Sequence, residues 1–177
     1  MFDTSNDLPP TTRRSVIEIL NEHLADAIDL QLHAKQAHWN IKGPNFVGLH
    51  ELFDEVASQA QEYADEIAER AVALGGVARG TIQAVSGQSQ LREYPLEVGD
   101  WRAHVRAMQD ALATFGRGVR KAIDDTTAVN DADTADLFTE ISRGVDKSLW
   151  MVEAHVHDEP VDAKDVAQRS ASQGESR

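Results

Sequence analysis

Two histidines and two carboxylates have types that suit a borderline metal ion such as iron or zinc. They are His38 and His50, on either side of Gly43-Pro44, and Asp65 and Glu69, four residues apart. Whether all four can share one ion is a question of geometry. Leu49, Leu52, Phe53, Val56, Ala60, Tyr63, Ile67, Ala71 and Leu74 recur at helical spacing, which predicts one helix from Val47 to Leu74. His50 and Asp65 are fifteen residues apart on it. At about 1.5 Å per residue that is roughly 22 Å along the axis, beyond the span of any metal ion. Asp65 and Glu69 share a helix face, and the two histidines can approach each other across the turn. The chain thus carries two half-sites at opposite ends of one helix. Two copies packed antiparallel about a two-fold axis would join the histidine pair of one to the carboxylate pair of the other. An isologous dimer makes two such sites at once.

The elements that must position these residues read as all-α. Residues 1–11 are polar, carry Pro9-Pro10 and predict a flexible N-terminal arm. Thr11 or Thr12 can cap a first helix whose stripe is Val16, Ile19, Leu20, Leu24, Ala27, Ile28 and Leu32. It runs to about Asn40 and ends on His38 and Trp39. The second helix stops at Gly75-Gly76. Residues 77–99 are too long for a bare hairpin loop, and the run TIQAVS predicts a short helix within them. Asp100 can cap a third long helix, Trp101 to Thr126, with Val105, Met108, Leu112, Phe115, Val119 and Ile123 on one face. TTAVNDADT reads as a loop, and a fourth helix runs from Thr134 to His157 on Leu137, Ile141, Val145, Leu149 and Val152. One bundle over 12–158 follows, with a polar, disordered tail at 159–177. A long crossover between the second and third of four helices is ferritin-like topology.

The runs KQAHWN, KGPNF, LHELFDE and DEIAERAVALGG, with DADTADLFTEISRGVDKSLWMVEAHV nearer the C-terminus, resemble the signature of the Dps family. These are DNA-binding proteins from starved cells, small members of the ferritin-like superfamily. The resemblance runs from about residue 8 to Asp158. It implies a ferroxidase site between subunits, with iron ligands at His38, His50, Asp65 and Glu69 and no departure at any of the four. It implies that Trp39 lies beside the iron, that twelve subunits form a hollow shell storing Fe³⁺ mineral, and that hydrogen peroxide is the oxidant. It also implies that acidic residues near the fourth helix line three-fold pores that admit iron, here Asp131, Asp136 and Glu140. Their other reading is local: with Asp133 they sit where acids favour a helix N-terminus.

The competing designs can be weighed on the residues. Ferritins that build a di-iron centre within one subunit use Glu-x-x-His on a helix. Every histidine here is preceded at that spacing by Leu20, Leu30, Lys35, Val47, Trp101, Val152 or Ala154. His23, His33, His104, His155 and His157 are left out of the site. Asp54, one turn after His50, and Lys35, one turn before His38, are candidates to support it.

Composition bounds the rest. Seventeen Lys plus Arg against 30 Asp plus Glu give a formal charge of -13, which attracts cations and repels nucleic acid and anionic membranes. A nucleoid-compacting role is the alternative that the family name suggests. The N-terminal arm has no Lys, and Lys164, Arg169 and Arg177 in the tail are matched by Asp162, Asp165 and Glu175. DNA binding is therefore expected to be weak or absent. With no cysteine, thiol chemistry is excluded. No signal-like segment and no long apolar run is visible, which predicts a cytoplasmic protein, and no organic cofactor is expected beside iron.

Overall fold

The computed structural model describes residues 1–157. The expected tail at 159–177 lies outside the described residues. Five helices and no strand form the described chain: α1 (Pro10–Asn40), α2 (Phe46–Ala73), α3 (Ile82–Gln88), α4 (Trp101–Ala128) and α5 (Ala132–Glu153). The hairpins α1–α2 and α4–α5 pack side by side, α1 against α4 and α2 against α5. Leu20, Phe53, Ile67, Met108, Phe115, Phe138 and Ile141 are fully buried where they meet. The fold is the expected all-α four-helix bundle, with α3 as the short helix in the crossover.

The helix ends depart from expectation in three places, each for a local reason. First, α1 begins at Pro10, with no side-chain cap from Thr11 or Thr12. Proline at the first helical position lacks only an N–H that would be unpaired there, and its φ already suits the helix. Second, α4 continues through Thr126 and Thr127 to Ala128. The buried Thr126 hydroxyl donates to the Ala122 carbonyl at 2.7 Å, one turn back, so it needs no partner outside the helix. The loop shrinks to Val129–Asp131, with Asn130 at φ 61° making the turn. Third, α5 starts two residues before Thr134 and ends at Glu153, followed by turns to His157. The expected caps elsewhere are present. Thr81 accepts from the Ala84 N–H, Asp100 from Arg102, and Gly75 leaves α2 at φ +86°.

The arm and the crossover are held by polar residues of α1. The Phe2 N–H donates to the Gly75 carbonyl. Arg13, buried, donates to the carbonyls of Leu8 and Leu74. The Asn21 amide donates to the Val77 carbonyl and its oxygen accepts from the Arg79 N–H. Asp26 accepts from the Gln90 N–H at 2.7 Å, and Asp29 from the Ser89 hydroxyl at 2.6 Å. Burial pushes the Asp26 carboxyl above its ordinary range, against these hydrogen bonds. The crossover is therefore held along α1.

Helices α2 and α5 approach closely at Gly144. A Cβ there would come within 1.9 Å of the Tyr63 hydroxyl oxygen. Gly144→Ala is expected to destabilise the fold by about 1–2 kcal/mol, overpacking outweighing the better helix propensity. Adding Tyr63→Phe should restore most of that loss. Urea unfolding midpoints of the two variants against the parent measure both effects.

Candidate metal centre

The α1–α2 turn brings His38 and His50 together. Their rings stack with centroids 3.7 Å apart and 22° between planes. The contact is reciprocal: Nδ1 of His38 is 2.8 Å from the His50 carbonyl, and Nδ1 of His50 is 2.9 Å from the His38 carbonyl. A carbonyl oxygen only accepts, so each Nδ1 carries the hydrogen and donates it. In the neutral ring this leaves the Nε2 lone pair as the metal donor, with the ring plane fixed by the hydrogen bond behind it. Phe46, at 5.1 Å from the His50 ring, closes one side of the pair.

The two supporting candidates pair with each other. Lys35 Nζ is 2.7 Å from Asp54 Oδ1, and that oxygen is 3.9 Å from His38 Nδ1. The Lys35 hydrogen bond, followed by the charges of Lys35, His38 and His50, holds the Asp54 carboxyl below its ordinary range. Lys35 also sits 5.7 Å above the Trp39 ring. Trp39 itself is 65% exposed in the single chain, an aromatic ring next to a candidate ligand.

Asp65 and Glu69 are both exposed on α2. Because α2 is a continuous helix of 28 residues, the roughly 22 Å between His50 and Asp65 holds along its axis. Among the described residues of one chain, no three His, Asp or Glu side chains converge as a metal cage. The carboxylate end is strongly negative. Burial, then the charges of Glu140, Glu62 and Asp65, push the Glu66 carboxyl above its ordinary range. A cation near this surface relieves that repulsion.

The three acids at the start of α5 are not alike. Asp136 and Glu140 are exposed. Asp131 is 2% exposed and already fully engaged. It caps α5 by accepting from the Thr134 N–H, accepts from the Thr134 hydroxyl at 2.6 Å, and pairs with Arg70 Nη2 at 2.7 Å. Its carboxylate ties α2 to α5 and is not presented to solvent.

The ferritin-like domain model matches residues 17–160. A DNA protection during starvation protein from Agrobacterium fabrum is 48% identical over 155 residues, covering 88% of this chain and 96% of the relative. The chain belongs to the Dps family of ferritin-like proteins. A Dps relative from Mycolicibacterium smegmatis is 33% identical over 141 residues, 80% of this chain and 76% of the relative. Among solved structures, DpsC from Streptomyces coelicolor superposes with a TM-score of 0.84 at 29% identity, covering 92% of this chain and 94% of that one. In this Dps chain no described helix is long and apolar enough to cross a membrane.

The structural role of Asp131 is testable apart from any role in iron uptake. Asp131→Ala leaves Arg70 Nη2 and two Thr134 donors without their acceptor. It is expected to cost about 2–4 kcal/mol in equilibrium unfolding. Asp136→Ala, at an exposed position, should stay within about 0.5 kcal/mol of the parent.

Proposed function

We propose that this protein is a Dps-type ferroxidase that binds Fe²⁺ between subunits, oxidises it with hydrogen peroxide and stores the Fe³⁺ as mineral inside a dodecameric shell. The observation that carries this reading is the locked His38–His50 pair at one end of an unbroken α2, with Asp65 and Glu69 near its other end. Two Nε2 donors from one subunit and two carboxylates from its two-fold mate form a mixed hard and borderline set that suits iron and leaves positions open for an oxidant. Iron is the substrate here. Two Fe²⁺ ions give one electron each to a peroxide molecule, whose O–O bond breaks; with two protons it becomes two waters. No hydroxyl radical is released. Four protein ligands hold one iron firmly, so the second iron of the pair is held weakly.

Asp136 and Glu140 are the exposed carboxylates that would draw Fe²⁺ towards the shell interior, and Asp131 supports them by fixing the start of α5. Trp39, beside His38, is placed to surrender an electron to a stray oxidant before it escapes. The Lys35–Asp54 ion pair is neutral as a unit and keeps a carboxylate 3.9 Å from His38 Nδ1, where it supports the ring that would bind iron.

Protection of DNA by this protein is chemical and cytoplasmic. Arg13 is buried in the anchoring of the arm, which leaves Arg14 as the exposed basic residue there. A net charge of -13 opposes a phosphate backbone.

Two outcomes are expected. Under anaerobic mixing with hydrogen peroxide, the protein oxidises Fe²⁺ rapidly, and the His50→Ala/Asp65→Ala variant loses that rate by at least about 10- to 100-fold. Equal rates in both would make these residues scaffold. In a gel shift at low salt and neutral pH, duplex DNA should migrate unretarded; tight, salt-sensitive binding would show a nucleoid role instead.

A further inference from the structure

The crossover and α4, with His33 of α1, line a cleft of about 530 Å³ to which none of His38, His50, Asp65 and Glu69 contributes. Three arginines line it: Arg92 from the crossover, and Arg106 and Arg117 from α4. Among the described residues none of the three makes an ion pair, whereas Arg70, Arg79 and Arg120 all do. With Glu93 and Asp110 in the same lining, the three guanidiniums leave one net positive charge, in a chain with thirteen excess negative charges, which suits an anionic ligand that also carries hydrogen-bond donors. Guanidinium forks match phosphate oxygens two at a time.

The rest of the lining argues for more than inorganic phosphate. Tyr94 is fixed in the wall by a 2.6 Å hydrogen bond between its hydroxyl and His104 Nδ1, and its ring meets the His33 ring edge-on at 5.3 Å. Burial pushes the Tyr94 hydroxyl up and the two imidazoles down, so this aromatic wall is uncharged at neutral pH. A flat, neutral wall suits a heteroaromatic ring, which stacks on such side chains whatever its identity. Glu93 and Asp110 also line the cleft. Carboxylates accept hydrogen bonds only, so they suit ring or amino N–H donors and oppose a bare anion. The volume falls within the range of pockets that hold one small organic ligand.

We propose that this cleft binds a free mononucleotide, its phosphates on Arg92, Arg106 and Arg117 and its base against Tyr94. The site is separate from the iron ligands and does not depend on them.

Titration calorimetry of the assembled protein at low salt tests this, with ADP, GDP, inorganic phosphate and a DNA duplex as separate ligands. A saturable nucleotide site, one per subunit and tighter than inorganic phosphate by at least about tenfold, is expected. Arg106→Ala/Arg117→Ala should weaken nucleotide binding by a similar factor and leave peroxide-driven Fe²⁺ oxidation unchanged, which also shows that the variant is folded. Ala107→Leu, which fills the cleft without changing charge, should weaken nucleotide binding too. Equal affinity for nucleotide and phosphate, binding that neither variant alters, binding of the duplex alone, or no binding at all would each overturn the proposal.

Discussion

The constraint on which the rest depends is the straight, unbroken length of α2. A helix cannot fold back, so residues fifteen positions apart on it stay roughly 22 Å apart whatever the side chains prefer. His50 and Asp65 are held at that distance by a stripe of buried residues, Leu52, Phe53, Val56, Ala60 and Ile67, that fixes α2 against the bundle. Bending α2 to close a site within one subunit would break that core. The chain therefore presents incomplete donor sets, and chemistry of the kind proposed requires a second copy.

Each half-site has its own means of preparation. At the histidine end, two rings donate to each other's backbone carbonyls across the α1–α2 turn. Neither ring can rotate without breaking a hydrogen bond, so the Nε2 atoms are already aimed, and a metal bound there as proposed would leave less ordering for binding to supply. At the carboxylate end, preparation is electrostatic. Glu62, Asp65, Glu66 and Glu140 crowd negative charge there, and a bound cation would relieve it. The Arg70–Asp131–Thr134 cluster, one residue past Glu69, fixes α2 to α5 and so fixes where Glu69 sits.

Much of this was legible in the sequence, for identifiable reasons. The stripe of α2 has helical period and almost no polar interruption, so its length, and with it the separation of the ligands, could be derived. Gly75 and Asp100 announced their helix ends by their own chemistry. What could not be read depended on distant partners or on a single hydroxyl. Asn21, Asp26 and Asp29 look like an ordinary polar face of α1, yet they hold backbone and side-chain groups of the crossover 56 to 64 residues away. Thr126 reads as a loop former until its hydroxyl is seen to bond back to Ala122. Asp131 reads as one of a set of exposed acids, but Arg70, 61 residues earlier, makes it a buried strut. The mutual hydrogen bonds of the histidines follow from how two helices cross, which no spacing encodes.

The division of the site between subunits is tested most directly by co-assembling two defective proteins, His50→Ala and Asp65→Ala, in equal amounts. Each alone should oxidise Fe²⁺ at the background rate. In a mixed pair, one of the two sites has lost both kinds of ligand, and the other has an intact histidine pair facing an intact carboxylate pair. Random pairing should therefore restore about a quarter of the parent's active sites. Co-assembled protein that stays at background would contradict a site shared across the two-fold axis, and so would full activity of either variant alone.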